Sequence, residues 1–278
     1  MFQRTIGVRV WTLVGGLVAG LFILLPLLWL VRTAVTPTAE TFSTHFTWLP
    51  SQITMANFAF AFSQTHLLRY IVNSLLVAGV AALVATALAS YAGYALTIFE
   101  VQFKRSLMTL FLLAQVFPVA LILVSLFPVF TRAHLLNSYL GLGIGYVILC
   151  LPSALYVIHG FMQSFPKELV EAARIDGAGE LRVFHSVAVP LMKPGLIAVF
   201  LFSFMWGWND LLFSITLMSR DALRTLGPGL LTTYLGQFSD NWSGIMAASV
   251  IASVPVVILF IWLQKYFVRG ITVGAVKG

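Results

Sequence analysis

Hydrophobic residues occur in six long and nearly uncharged runs, and the segments between them hold most of the polar residues. A helix needs about 20 apolar residues to cross roughly 30 Å of hydrocarbon, and each run reaches that length. The pattern therefore predicts an all-α integral membrane protein, with a single transmembrane domain over residues 1–278. The six expected transmembrane helices cover residues 11–31, 71–99, 107–130, 139–161, 196–217 and 244–263.

Composition agrees with a lipid environment. Hydrophobic residues make up 60% of the chain and charged residues 9%, whereas a soluble domain carries roughly 25% charged residues. The single cysteine, Cys150, excludes an intrachain disulfide and any site built from several cysteines. Prolines inside the third and fourth runs, at Pro118, Pro128 and Pro152, predict kinks.

The distribution of basic residues predicts the orientation. Six crossings place both termini on one side of the membrane, and eleven of the sixteen Lys and Arg residues fall on that side. Since cytoplasmic loops carry an excess of basic residues, both termini are expected in the cytoplasm. The net charge of +7 is then explained by these loops, and nucleic acid is not an expected partner.

The segment over residues 166–194 is the one strongly polar stretch on the cytoplasmic side. Glu168 and Glu171 lie in the first turns of an expected helix, where acidic side chains interact favourably with the helix dipole. Ala172 and Ala173 are strong helix formers with almost no side chain. They leave a smooth patch that another surface can approach closely.

Two glycines are expected to end this first helix, because glycine accepts the left-handed backbone of a helix C-terminus. They are Gly177 and Gly179. A second short helix is expected over residues 180–187, and Pro190 and Pro194 are expected to end it before the fifth span. The predicted result is a helix-turn-helix bracket near the membrane surface.

The spacing in this bracket resembles the EAA loop of bacterial ATP-binding-cassette (ABC) importer permeases. It combines Glu171-Ala172-Ala173 with Gly177, and it ends on Val187-Ala188-Val189-Pro190 where the family has Ile-x-Leu-Pro. Three other segments are similar to the carbohydrate-uptake branch, the MalG-like permeases. These segments are Asn73-Ser74-Leu75, the aromatic stretch 204–210, and the ending Gly274-Ala275-Val276-Lys277-Gly278.

This resemblance implies a permease subunit of the bacterial plasma (inner) membrane, not an enzyme. The implied partners are membrane lipid, a second, MalF-like permease, two ABC ATPase subunits and an extracytoplasmic solute-binding protein. ATP and magnesium would bind the ATPase subunits, and this chain would hold no cofactor or metal of its own. The implied cargo is a carbohydrate, such as an oligosaccharide, a polyol or a sugar-phosphate.

The resemblance also implies three groups of site residues. The residues implied to couple to the ATPase are Glu171, Ala172, Ala173, Asp176, Gly177 and Pro190. The residues implied to contact the binding protein are Tyr234, Gln237, Asp240 and Asn241. Gly274 and Lys277 belong to a C-terminal tail that would insert between the ATPase subunits.

One charged residue, Asp210, falls inside a predicted span. A charge at mid-bilayer costs at least about 2.5–3.5 kcal/mol, so Asp210 is expected to face the bundle interior or water. Two interpretations stay open. Either Asn209 and Asp210 line the substrate path, with Trp206 or Trp208 near the sugar, or Asp210 caps or braces helices near their outer end.

Other function classes lack their sequence signatures. No lysine follows a glycine, so a Walker A phosphate loop is absent, and no histidine precedes a glutamate, so a His-Glu-x-x-His zinc site is absent. An ion-coupled carrier usually shows several ionisable residues within its spans. A permease for a non-sugar solute and such a carrier remain as alternatives, and a membrane enzyme is weaker because no catalytic cluster is visible.

Overall fold

The computed structural model describes residues 6–41, 47–63, 65–163, 165–235 and 241–275, and of residues 6, 7, 9, 10 and 266–275 it describes the backbone alone. All regular elements within this part of the chain are helical. The expectation of an all-α protein is therefore confirmed. The helices are α1 (Ile6–Ala34), α2 (Ala56–Ser63), α3 (Leu67–Ile98), α4 (Lys104–Ala114), α5 (Val119–Arg132), α6 (Tyr139–Met162), α7 (Glu168–Ile175), α8 (Glu180–Val183), α9 (Val189–Trp208), α10 (Leu212–Leu217), α11 (Leu226–Tyr234) and α12 (Trp242–Ala275).

Five helical stretches in the described residues are long and apolar enough to cross a membrane, and each overlaps one of the predicted runs. They are Trp11–Ala34, Leu67–Ile98, Tyr139–Met162, Glu180–Trp208 and Trp242–Lys265. Between these stretches, the described residues form shorter helices and turns.

The third predicted span is not one helix. It consists of α4 and α5, whose axes differ by 97°. Pro118 immediately precedes α5, with backbone angles φ −58° and ψ 130° that lie outside the helical region. Proline offers no N–H to continue the ladder of α4, so a break at this position costs little. The kink expected at Pro118 is thus a sharp bend between two helices.

The fifth predicted span, 196–217, also differs from the structure. Helix α9 ends at Trp208, and α10 begins only at Leu212. The carboxylate of Asp210 accepts hydrogen bonds from the backbone N–H groups of Phe213 (3.1 Å) and Ser214 (2.9 Å). A side chain that binds the first N–H groups of a helix favours a new start over continuation of the previous helix.

The prolines expected to end the bracket before the fifth span do not do so. The helical stretch runs without interruption from Glu180 to Trp208. It contains one π-helical turn, Phe184–Ala188, in which the N–H of Val189 donates to the carbonyl of Phe184. This widened turn lies just before Pro190 and gives room for the proline ring, which in a regular helix would clash with a backbone carbonyl of the preceding turn. Pro194 lies inside α9.

The chain forms two compact units. The first comprises residues 1–67 and 230–254. In it, the side-chain amide of Asn57 on α2 donates to the carbonyls of Ala34 and Thr36, both at 2.9 Å, and so fixes α2 to the end of α1. Two hydrogen bonds from Ser51, one from its hydroxyl and one from its backbone N–H, lower the pKa of Glu40.

The second unit comprises residues 68–229 and 255–278. It contains two clusters of buried apolar side chains, which we name after their central phenylalanines. The Phe184 cluster consists of Ala89, Tyr94, Leu96, Ala154, Leu155, Ile158, Met162, Phe184, Ala188, Met192 and Val199. The Phe213 cluster consists of Val77, Ala81, Leu123, Phe130, Leu142, Tyr146, Phe213, Leu217 and Met218. The two clusters join opposite ends of α3 and of α6.

Candidate coupling and substrate-path sites

Helix α7 forms the first arm of the bracket, residues 166–194. Glu168 and Glu171 lie in its first turn, as predicted, and both are exposed. Val170 is 1% exposed and anchors the helix on the protein. Ala172 is exposed, whereas Ala173, three residues beyond Val170 and on the same face of the helix, is half-buried. The smooth patch expected from the two alanines is therefore accessible to another surface.

The end of α7 has the geometry of a Schellman motif. The N–H of Ala178 donates to the carbonyl of Ala173 (3.0 Å), and the N–H of Gly177 donates to that of Arg174 (2.9 Å). Gly177 has φ +81°, which is the left-handed conformation expected for it. Asp176, the residue at the helix end, is exposed. Pro190, farther along the bracket, is also exposed.

Large apolar side chains project from the bracket away from the protein. Ile175 is 86% exposed and Leu181 is 71% exposed, and Leu169 on α7 is 44% exposed. The motif spacing does not single out these residues. The available signal is that each of these short polar helices carries apolar residues in addition to the one that it buries against the protein. Together with the alanine patch they form an apolar face bordered by charges.

Polar contacts join the two arms of the bracket to each other and to α3. The Nε–H of Arg174 donates to Oε1 of Glu180 at 2.7 Å, and this hydrogen bond raises the pKa of Arg174. The hydroxyl of Tyr94 on α3 donates to Oε2 of Glu180 at 3.4 Å. The guanidinium of Arg174 also lies 5.9 Å from the ring centroid of Phe99. These contacts fix the turn at Gly177 beside the end of α3.

Aromatic contacts make the second connection to α3. Phe184 in the π-helical turn is 3% exposed. Its ring stacks on Tyr91 at 4.3 Å and meets Tyr94 edge-on at 5.2 Å. The hydroxyl of Tyr91 lies 3.0 Å from Nε2 of His185. A displacement of the bracket would therefore move the C-terminal part of α3 with it.

Asp210 lies in the break between α9 and α10, where its carboxylate caps α10. The same carboxylate accepts a hydrogen bond from the hydroxyl of Tyr146 on α6 at 3.0 Å. The hydroxyl of Ser214 lies 3.0 Å from that of Tyr146 and 2.6 Å from that of Thr225. This network matches the bracing interpretation of Asp210.

A cavity of about 540 Å³ lies beside this break. It is lined by Phe202, Met205, Trp206, Asn209, Asp210, Leu211 and Leu212. The structure thus brings three of the four predicted substrate-path residues, Trp206, Asn209 and Asp210, to one cavity. The fourth, Trp208, is buried and stacks on Phe204 at 5.6 Å.

A second cavity, of about 670 Å³, opens at the bend between α4 and α5. Gln115 and Ser153 line it, and the hydroxyl of Ser153 donates to Oε1 of Gln115 at 2.6 Å. The hydrophobic pattern does not indicate this pair as a site. Their polar side chains within apolar runs are the available signal, but only the bend brings them to a common cavity.

The two described residues predicted to contact a binding protein have local structural roles. Tyr234 is 2% exposed, and its ring meets that of Phe60 edge-on at 6.1 Å. Burial raises the pKa of Tyr234. The side chain of Asn241 accepts a hydrogen bond from the N–H of Gly244 at 2.8 Å and so caps α12.

Three of the predicted site residues, Gln237, Asp240 and Lys277, lie outside the described residues. Gly274 lies within α12, near its C-terminal end.

Residues 85–273 match the family of binding-protein-dependent transport system inner membrane components. The chain belongs to this family. The match includes the bracket and both cavities, and it confirms the predicted inner-membrane location and the role as a transport subunit rather than an enzyme.

Relatives cover the chain over nearly its full length. The diacetylchitobiose uptake system permease protein DasC of Streptomyces coelicolor is 33% identical over 99% of this chain and 100% of its own length. The arabinooligosaccharides transport system permease protein AraQ of Halalkalibacterium halodurans is 31% identical over all of both chains. The predicted resemblance to carbohydrate-uptake permeases is confirmed.

A solved structure shows the same fold. It is a chain of a bacterial ABC transporter involved in the import of the acidic polysaccharide alginate. Its TM-score is 0.78, with 21% identity, and the alignment covers 96% of this chain and 99% of that one. The chain therefore has the fold of an ABC transporter permease.

Proposed function

We propose that this protein is the permease subunit through which an ABC importer takes up a carbohydrate. The observation that carries the proposal is the family match together with full-length relatives that are named for uptake of diacetylchitobiose and of arabinooligosaccharides. In this proposal a solute-binding protein delivers the sugar, and a second permease completes the pore. Two ATPase subunits bind ATP and magnesium, and this chain binds neither.

The proposed topology has six crossings in one transmembrane domain, with both termini in the cytoplasm. Packing of the bent pair supports it. Met108 and Phe111 of α4 pack against the Phe184 cluster, whereas Leu123 and Phe130 of α5 belong to the Phe213 cluster. Because these clusters join opposite ends of α3 and α6, α4 and α5 together extend from one end of the bundle to the other. The bent pair then counts as one crossing.

The bracket is proposed to dock into an ATPase subunit. Its accessible face combines the small side chains of Ala172 and Ala173 with Ile175, which is 86% exposed. Leu169 and Leu181 extend this apolar surface, and an exposed apolar patch bordered by polar residues is typical of an interaction surface. Glu171 would pair with a basic residue of the ATPase, and Gly177 would hold the end of α7 in its compact form.

Asp176 and Pro190 complete the proposed coupling residues. Asp176 lies at the end of α7 and adds a second negative charge to the docking face. Pro190 follows the π-helical turn, so it lies where the bracket passes into α9. Movement of the bracket on ATP binding would reach the substrate path through this helix.

The outer part of the substrate path is proposed to follow the cavity beside the break in the fifth run. Asn209 is exposed there and presents an amide to solute. Trp206 supplies an aromatic face, and aromatic side chains suit the apolar faces of sugar rings. Asp210 would hold the break open through its cap, and Trp208 would support it from the buried side.

Contacts beyond the membrane domain complete the proposal. Tyr234 and Asn241 flank a segment that contains Gln237 and Asp240, and this segment is proposed to meet the binding protein. The C-terminal tail, with Gly274 and Lys277, is proposed to enter the space between the ATPase subunits.

Purification of the tagged chain from its native host in mild detergent tests this function. Proteins that remain bound are identified by mass spectrometry. The expected partners are a second permease and an ABC ATPase, and a binding protein is expected when sugar and ATP are present. Recovery of the chain alone, together with solute movement in liposomes that needs no ATP, would contradict the proposal.

A further inference from the structure

The 670 Å³ cavity lies between the two ends of the bundle. The part of α6 that lines it, Ile148–Ser153, separates the segment that joins the Phe213 cluster from the segment that joins the Phe184 cluster. On the other side of the cavity lies the bend between α4 and α5. With six crossings, this level corresponds to the middle of the membrane. Interrupted helices at that depth commonly surround transported solutes.

A polar pair stands in the otherwise apolar wall of this cavity. The hydroxyl of Ser153 donates a hydrogen bond to Oε1 of Gln115. Within the described residues, the side-chain amide nitrogen of Gln115 has no hydrogen-bond partner. The side chain of Gln115 is exposed at this cavity, so its amide is accessible to a solute that enters. The N–H groups of Gln115 can therefore donate hydrogen bonds to polar groups of a solute in this cavity, such as sugar hydroxyls.

Aromatic side chains provide the remaining surface a sugar would need. Phe117, Phe202 and Trp206 line the same cavity. Phe202 and Trp206 also line the 540 Å³ cavity beside Asn209. The two cavities therefore adjoin on this pair of rings. A volume of 670 Å³ falls within the range of about 300–1,000 Å³ that is usual for small-molecule sites.

From these observations we propose that Gln115 and Ser153 form a sugar-binding site in the middle of the transport path. The site takes a neutral di- or trisaccharide that has passed Trp206 from the outer cavity. The amide of Gln115 donates to sugar hydroxyls, and Trp206 contacts an apolar face of a sugar ring. This inference rests on the proposed carbohydrate function, and it places a specificity-determining contact in this subunit itself.

The first test is sugar uptake by the complete importer, reconstituted in liposomes with its second permease, ATPase and binding protein. The probes are radiolabelled neutral di- and trisaccharides, including diacetylchitobiose and arabinotriose. Gln115→Leu is expected to lower the uptake rate about fivefold, the size of one lost hydrogen bond. The matched control Gln102→Leu, in the exposed loop before α4, is expected to stay close to wild type.

The second test separates sugar contact from a structural role. Ser153→Cys is treated with a small, positively charged methanethiosulfonate reagent, and modification of residue 153 is measured by peptide mass spectrometry. We expect the transported sugar to slow this modification about threefold or more during ATP turnover. Ser125→Cys on α5, which does not line the cavity, is expected to react at a rate that sugar leaves unchanged.

The outcomes distinguish this inference from the proposed function. If the wild-type complex imports none of the probe sugars, the carbohydrate function fails and this site fails with it. If the complex imports a sugar but Gln115→Leu transports like Gln102→Leu, the site alone is wrong. Modification of residue 153 in the isolated chain but not in the complex would mean that the second permease fills the cavity, which also overturns the inference.

Discussion

Gly177→Ala tests whether the conformation of the bracket controls coupling, and Gly179→Ala is its matched control. A Cβ atom added at either position meets no heavy atom within 4 Å, so neither substitution creates a clash. The backbones differ: φ is +81° at Gly177 and −69° at Gly179. The pair therefore isolates backbone strain from side-chain packing and from any contact that alanine could make with an ATPase.

The magnitude follows from the left-handed backbone. An L-residue there costs roughly 1–2 kcal/mol, whereas alanine at a φ near −69° is unstrained. Since 1.4 kcal/mol corresponds to a factor of ten in an equilibrium constant, the population of the compact end of α7 falls about five- to thirtyfold relative to opened forms. If the ATPase binds only the compact form, its apparent affinity falls by as much as this factor. Gly177→Asn is expected to lose less, because asparagine tolerates this conformation better.

The assay is an equilibrium titration of the ATPase onto the permease heterodimer in lipid nanodiscs, followed by measurement of sugar-stimulated ATP hydrolysis. Gly177→Ala is expected to weaken binding and lower stimulation, and Gly179→Ala is expected to match wild type. Equal behaviour of the two alanine variants would refute the argument. So would normal binding by Gly177→Ala, since the strained turn would then have no part in docking.

Three further predictions concern other contacts. Glu171→Lys reverses a charge on the proposed docking face and is expected to abolish sugar-stimulated ATP hydrolysis while the chain still inserts in the membrane; normal coupled uptake would contradict the docking assignment. Phe184→Ala removes a ring that is 3% exposed and is expected to cost about 3–5 kcal/mol, seen as a lower thermal midpoint in detergent, whereas an unchanged midpoint would mean that its stack on Tyr91 is dispensable. Asp210→Ala removes the acceptor of the Ser214 N–H and is expected to destabilise the chain by about 1–3 kcal/mol, with partial recovery in Asp210→Asn. Full stability of the alanine variant would exclude the bracing role.

Much of the architecture can be predicted from the chain because lipid imposes a simple rule on it. Length and hydrophobicity indicate all five helical stretches in the described residues that are long and apolar enough to cross a membrane, since unpaired backbone groups are too costly in hydrocarbon. The bracket is predictable for a different reason. Gly177 indicates a left-handed backbone conformation that other residue types rarely adopt, and the structure has φ +81° at this residue.

The breaks in two spans are harder to predict, because a hydrophobic run looks the same whether it is straight or bent. Pro118 indicates a kink but not an angle of 97°. Asp210 interrupts the fifth run by capping a new helix, and its carboxylate also accepts a hydrogen bond from Tyr146, which is distant in the sequence. Pro190 is misleading in the opposite sense, because the π-helical turn before it lets the helix continue.

The candidate sites divide in the same way. Local sequence is enough to indicate the bracket that is proposed for coupling, because its motif lies within one short segment. The cavity with Gln115 and Ser153 is not predictable from either residue alone, because its two sides come from α4 and α6 and meet only at the bend.

The most direct test of the account is sugar uptake by proteoliposomes that contain this chain, its second permease and the ATPase, with binding protein added outside. ATP is either present or absent inside the vesicles. The account predicts accumulation of a carbohydrate that requires both ATP and the binding protein, and that disappears with Glu171→Lys. Uptake that proceeds without ATP, or that survives this substitution, would contradict the claim that the chain is an importer permease coupled through its bracket.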